Sequence, residues 1–196
     1  MANKNQRGIL FVISAPSGGG KTSLANAVIK KLNPQISLEK VATYTTRPSR
    51  INEQNGKDYY FVSRPQFLKK IEDGFFLETT EYNGELYGSP ASITTDLRNG
   101  KSLILVTDWD GAKKIRNFID QPVLLWIMPP SIEILKERIQ KRGTETREQI
   151  ESRLKLANIE LEHELINKIF THHILNDNFE QAVDEIAFII RQKLNH

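Results

Sequence analysis

The sequence predicts an α/β fold, with a mostly parallel sheet covered by helices on both faces. Three observations predict it. The apolar run Ile9–Ile13 leads through the glycine-rich stretch Ser14-Ala15-Pro16-Ser17-Gly18-Gly19-Gly20-Lys21-Thr22 into a helical pattern at Leu24–Lys31. Apolar strand-like runs then alternate with helical patterns along most of the chain. The last of these patterns places Ala182, Val183, Ile186, Ile189, Ile190 and Leu194 on one face of a helix.

Taken in order, the first strand is expected over Gly8–Ser14 and the first helix over Lys21–Leu32. Residues 39–89 break the alternation. They are rich in Thr, Tyr, Phe and Gly and read as short strands and turns with one helix near Pro65–Glu72. Such a segment is too long for a loop inside a compact domain, so it is expected to be an inserted subdomain. The alternation resumes with a helix at Pro90–Asn99, a strand at Leu103–Thr107, a helix at Gly111–Phe118 and a strand at Val123–Met128. Residues 131–165 are strongly charged and helical, beginning with a helix at Ser131–Lys141 and carrying Arg138, Arg142, Arg147 and Arg153. A charged helical hairpin beside a phosphate site can serve as a lid, but charge alone favours a solvated face with i,i+4 ion pairs. A short strand at His173–Leu175 and a helix at Glu180–Leu194, capped by Asp177 or Asn178, close the chain.

Composition narrows the function. The 196 residues suit one domain, and 39% hydrophobic with 26% charged residues can bury a core. The net charge of +3 is too mild to argue for nucleic acid as a partner. With no cysteine there is no disulfide, thiolate nucleophile or Cys-based zinc site, which fits a cytoplasmic setting. Met1–Arg7 is polar and lacks the apolar core of a signal peptide, and no apolar run approaches the ~20 residues that span a bilayer, so no membrane partner is expected. Oligomeric state stays open, a homo-oligomer included. Trp109 and Trp126 adjoin apolar strands and read as packing residues. His163, His172, His173 and His196 read as structural.

The stretch from Ala15 to Thr22 has the layout of a phosphate cradle. Glycines let backbone N–H groups turn inward around an anion, and the helix start adds unpaired donors. Lys21 can reach terminal phosphates, and the Thr22 hydroxyl can ligate Mg²⁺. A second anion site is suggested inside the insert. Arg47 and Arg50 stand three apart beside Pro48 among hydroxyl residues, and Tyr59 follows in Gly56-Lys57-Asp58-Tyr59. Guanidinium forks suit phosphate oxygens, although a basic surface turn reads the same way. Glu78, after Phe75-Phe76-Leu77, offers a carboxylate that matches the adjacent N1–H and N2 amine of guanine. A strand residue facing water is the alternative. Asp108 closes an apolar run at the ligand-facing end of a parallel strand, where it can serve a substrate or cap the next helix.

Together these motifs resemble the guanylate kinase family, from about Gly8 to Leu194. The resemblance rests on Ser14–Thr22, Thr45-Thr46-Arg47-Pro48-Ser49-Arg50, Gly56-Lys57-Asp58-Tyr59, Tyr87-Gly88-Ser89, Asp108-Trp109-Asp110-Gly111, Pro129-Pro130-Ser131 and Arg138-x-x-x-Arg142-Gly143, in family order. It implies a three-layer P-loop NTPase core (1–38, 90–130 and 166–196), an inserted mixed α/β GMP-binding subdomain (39–89) and a helical lid (131–165). It implies transfer of the γ-phosphoryl of ATP to GMP with Mg²⁺. The expected ATP site is Ala15, Pro16, Ser17, Gly18, Gly19, Gly20, Lys21, Thr22, Ser23 and Asn176, with Thr22 on the metal. Arg47, Arg50, Tyr59 and Tyr87 would bind the GMP phosphate, and Thr43, Glu78, Ser89 and Asp108 would surround guanine. Lys21, Arg47 and the lid arginines Arg138, Arg142 and Arg153 would stabilise the transferring group.

The chain departs from the family pattern at Val106, where the family usually has an acid, at Asp110 in place of Gln, and at Asn178 in place of Asp. Two rival functions follow from the same fold. A non-catalytic domain of this kind would bind phosphorylated partners, but typically loses the working loop or lid. A kinase of a phosphorylated sugar would have no reason to keep Glu78, Ser89 and Asp108 together.

Overall fold

The computed structural model describes residues 7–51, 53–141 and 146–195. Its elements in chain order are β1 (Leu10–Ser14), α1 (Lys21–Leu32), β2 (Leu38–Lys40), β3 (Thr43–Thr45), β4 (Tyr59–Phe61), α2 (Arg64–Glu72), β5 (Phe76–Tyr82), β6 (Glu85–Pro90), α3 (Ser92–Arg98), β7 (Ser102–Val106), α4 (Trp109–Phe118), β8 (Val123–Met128), α5 (Ile132–Gln140), α6 (Arg147–Asn167), β9 (His172–Leu175) and α7 (Phe179–Leu194).

Five strands form a parallel sheet in the order β2-β7-β1-β8-β9. Its strands are apolar on both faces because helices cover both. On one face Phe11, Ile13, Ile104, Leu125 and Ile127 pack against Leu24 and Val28 of α1 and Val183, Ile186 and Ile190 of α7. On the other, Leu10, Val12, Leu105, Leu124 and Trp126 meet Ile93 and Leu97 of α3 and Trp109 and Ile115 of α4. The result is the α/β, three-layer arrangement of a P-loop NTPase. Burying one Leu or Ile in these layers stabilises the fold by roughly 1.5–3 kcal/mol.

The residues between β2 and β7 build a second sheet, β4-β3-β6-β5, of mixed direction, backed by α2. Ser63 and Gln66 form a reciprocal capping box at the start of α2, and Phe67 stacks on Phe76 beneath the sheet. Most element ends shift by one or two residues from the sequence reading, and Pro90, expected to open a helix, closes β6 instead; two further differences have a physical reason. Leu38–Lys40 joins the parallel sheet through β7, although only Leu38 of the three is apolar. Helix α4 begins at Trp109 rather than Gly111, because Asp108 is itself the cap, accepting from the Gly111 N–H at 2.7 Å. Asn178 caps α7. Both tryptophans are buried packing residues.

In the charged segment Ser131 caps α5 and Thr146 caps α6 through a capping box with Gln149. The buried stripe of α6 is Arg153, Ala157, Glu160 and Glu164, so this helix turns charge inward. Among the described residues no helix is long and apolar enough to cross a membrane.

Candidate active site

The ends of β1, β7 and β9 all point their following loops to one edge of the parallel sheet, where ligands bind in open α/β folds. The loop after β1 carries the glycines. Gly20 adopts φ +91° at the cap of α1, and an added Cβ would come 3.0 Å from the Asn176 amide. Gly18 has φ +85° with Ile139 pressed beside it. A side chain at either position would strain the turn that opens the backbone around an anion. Lys21 donates to the Ala15 carbonyl at 2.7 Å, folding over its own loop.

Facing this loop, one cleft is lined by Ser17–Ser23, Thr43, Arg47, Arg50, Tyr59, Glu78, Tyr82, Tyr87–Ser89, Val106–Asp108 and Arg153. It unites most of the site read from the sequence. Ala15 is buried in the core behind the loop. Asn176, also buried, donates from its side-chain amide to the Gly19 carbonyl at 3.0 Å, while its own carbonyl accepts from Arg138 Nη2 at 2.9 Å. These two residues therefore stand behind the loop rather than in the cleft wall. Nη1 of Arg138 is buried with no partner among the described residues. Arg142 lies outside the described residues.

Two centres of opposite character share the cleft. The basic one is held by the second sheet. Arg47 pairs with Glu53 at 2.9 Å and lies over the Tyr59 ring, with Tyr87 edge-on to Tyr59. Glu53 also accepts from the Arg50 N–H at 2.8 Å. Burial opposes ionisation of Glu53, but the bonds from Arg47 and from the Arg50 N–H outweigh it and hold its carboxyl below the usual range. The carboxylate thus sets the guanidinium fork before any ligand arrives.

The acidic centre is Glu78 with Asp108. Glu78 is buried; its Oε1 accepts from the Ser89 hydroxyl at 2.6 Å, and its Oε2 has no partner among the described residues. Burial, with Asp108 nearby, pushes its carboxyl up to about 7 despite the Ser89 bond. Asp108 is also raised, by burial, against the bonds from the Gly111 N–H and the Thr80 hydroxyl and the charge of Lys21. It accepts from Thr80 at 2.8 Å and so links α4 to the second sheet. An orphaned buried carboxylate oxygen in a ligand cleft is an acceptor awaiting a donor.

The sequence reading missed Glu53, Tyr82 and Glu160. Glu160, on α6, accepts from the Ser17 N–H at 3.1 Å and the Tyr82 hydroxyl at 3.3 Å through Oε2. Burial pushes its carboxyl up to about 7, with Asp108 adding and Lys21 opposing. The signal was the spacing of Arg153, Glu160 and Glu164, seven and four apart, which places three charges on one helix face around Ala157. Val106 lines the cleft two residues before Asp108 and presents no charge there.

Mg²⁺ can be tested against this donor set. Among the described residues no three acids or histidines converge on a metal position. Thr22 places one hydroxyl at the start of α1, which suits an ion that takes most of its ligands from phosphate oxygens and water.

Comparison with known proteins places this geometry. Residues 7–193 match the family model described as guanylate kinase. The guanylate kinase of Coxiella burnetii is 40% identical over 183 residues, covering 92% of this chain and 85% of that protein. The Thermotoga maritima guanylate kinase is 38% identical, covering 95% and 88%. Among solved structures, the crystal structure of guanylate kinase from Anaplasma phagocytophilum superposes with a TM-score of 0.79 at 32% identity, covering 96% of this chain and 87% of that one.

Proposed function

The chain belongs to the guanylate kinase family, and from that premise we propose how its residues divide the work. It phosphorylates GMP at the expense of ATP. The loop 15–23 holds the triphosphate, with Lys21 leaving the Ala15 carbonyl for the β- and γ-oxygens. Asn176 acts through the loop, fixing the Gly19 peptide. Arg47, Arg50, Tyr59 and Tyr87 hold the GMP phosphate. Glu78 accepts from guanine N1–H and N2, with Ser89, Thr43 and Asp108 completing the base pocket. Residues 39–89 act as the acceptor subdomain and 131–165 as a lid carrying Arg138, Arg142 and Arg153. Thr22 would hold Mg²⁺, which supplies neutralising charge to the β- and γ-phosphate oxygens when bound. The protein would work in the cytoplasm, where both nucleotides are made and used.

In the reaction a GMP phosphate oxygen forms a bond to the γ-phosphorus as the bond to the β-bridging oxygen breaks, giving GDP and ADP. The attacking oxygen is already an anion, so no strong general base is required. Closure excludes water and aligns the two phosphates, and the arginines and Lys21 offset the charge that gathers in transit. The observation that supports the acceptor assignment is the buried Oε2 of Glu78 in the cleft wall, which has no partner among the described residues. A guanine edge supplies two adjacent donors, and adenine does not. A coupled ATP-consumption assay with Mg²⁺ tests this with GMP, AMP and UMP as acceptors. Turnover is expected with GMP; equal turnover with AMP would remove Glu78 from its role.

A further inference from the structure

Three side chains converge on Ser17 from two separate elements, α6 and β5. The Ser17 N–H donates to Glu160, and the Ser17 hydroxyl accepts from Arg153 Nε at 2.8 Å. Both partners lie on one face of α6, two turns apart. The Tyr82 phenol, at the end of β5 in the second sheet, sits against Ser17 and donates to the same Glu160 oxygen. Glu160 is 4% exposed, and its Oε1 is buried with no partner among the described residues. A buried carboxyl with one oxygen unsatisfied is a costly way to fill space, and a leucine would pack the same volume without that cost. Its contribution lies in the two donors it joins, which belong to the phosphate loop and to the insert.

We propose that Glu160 is a positioning residue for phosphoryl transfer: through one carboxylate oxygen it ties the phosphate loop at Ser17 to the insert at Tyr82, so that ATP on the loop and GMP in the insert favour the same arrangement. The proposal deepens the kinase reading and rests on it. GMP held in the insert would favour the arrangement seen here, in which the Tyr82 hydroxyl bonds Glu160. The carboxylate, held on α6 beside Arg153, then fixes the Ser17 peptide and with it the loop that receives the triphosphate. By linkage, each nucleotide must then tighten the other by the same factor. Three other ties join insert and core: Lys40 with Asp58, Thr80 with Asp108 and Lys114 with the Thr79 carbonyl. None of these three touches the phosphate loop; the Tyr82 phenol does, lying against Ser17 and bonding the Glu160 oxygen that holds the Ser17 N–H.

Calorimetric titration with the β,γ-methylene analogue of ATP, with and without GMP, reads this coupling without turnover. In the unaltered protein GMP is expected to tighten the analogue on the order of 5–10-fold. Tyr82→Phe removes one hydroxyl and leaves the loop contact intact; it should bring the factor to within about twofold of one, with each ligand alone bound nearly as before. Glu160→Ala should likewise abolish the coupling and also weaken the analogue alone, since the Ser17 contact goes with it; Glu160→Gln, whose amide oxygen can accept the same two bonds, should restore most of the coupling. The Tyr82→Phe/Glu160→Ala double variant should be no worse than Glu160→Ala. If Glu160→Ala fails to fold, Tyr82→Phe decides alone. Full coupling in Tyr82→Phe, losses that multiply in the double variant, or no coupling in the unaltered protein would each overturn the proposal. Failure of GMP to bind at all would instead overturn the kinase reading.

Discussion

Glu78 is a buried carboxyl at a cost to the fold, which the proposed contact with guanine would offset. Its carboxyl is pushed up to about 7 by burial, with Asp108 adding to the effect. Only the ionised form can accept two N–H bonds from guanine. Below about pH 7 a proton must be removed before GMP is bound, so KM for GMP should rise up to about tenfold per pH unit as pH falls, with kcat less affected. Steady-state kinetics between pH 5.5 and 8 would show this slope, and its absence would mean that Glu78 is ionised throughout. Arg153 is a second residue whose setting departs from what its charge suggests. It is buried against Ser17 rather than solvated. Its removal should lower kcat on the order of 10³, as expected for an arginine that stabilises a transferring phosphoryl group. A kcat within threefold of the unaltered enzyme would leave it a purely structural role.

Individual elements separate cap from function at Asp108. That side chain caps α4 and also stands in the cleft wall, bonded to Thr80. The capping reading made from the sequence holds, and the same side chain lies where the substrate reading would need it. Asp108→Ala should lose the cap, costing about 1 kcal/mol and lowering Tm by roughly 2–4 °C. Asp108→Asn should keep the cap and the Tm, while both variants lose activity. Thermal melts beside kcat/KM would resolve the two, and an active Asp108→Asn would confine the residue to capping. What was legible in the sequence was local. The glycine loop and α1 form within some twenty residues, so their pattern is written in order, and α1 has the expected bounds. Strand β2 was hidden because its pairing partner β7 lies some sixty residues away and Glu39 and Lys40 carry no apolar signal. Helix α6 was legible as a helix, but its charged stripe looked like a face turned to water. Only the meeting of α6 with the loop and β5 shows Arg153 and Glu160 to be buried. Glu53 was hidden for a similar reason: its neighbours in sequence do not reveal that its carboxylate joins Arg47 to the Arg50 peptide.

At the scale of the whole molecule, the chain places two raised carboxyls about one cleft: Glu78 in its wall with Asp108 and Lys21, and Glu160 bonded to Ser17 and Tyr82 of that wall. This gives a testable pH dependence of stability. Both groups have folded values near 7, above the ordinary carboxylate value of 4.5. Between 4.5 and 7 the folded state binds more protons than the unfolded one, so stability falls as pH rises through that window. Glu53 and Asp58 are shifted the other way and withdraw stability only below the ordinary carboxylate range. The ligand-free protein should therefore melt highest in mild acid and lose several degrees by pH 7.5. The Glu78→Gln/Glu160→Gln variant should flatten that slope; an unchanged slope would place its origin elsewhere.

If the cleft reads guanine through Glu78, it must distinguish GMP from IMP, which lacks the N2 amine. In the unaltered enzyme kcat/KM should favour GMP by about 10–150-fold, the worth of one hydrogen bond to a charged group. In Glu78→Ala the two acceptors should be used within a few-fold of each other, both poorly. Retention of the full preference by Glu78→Ala would contradict the account and assign the reading of guanine to another residue.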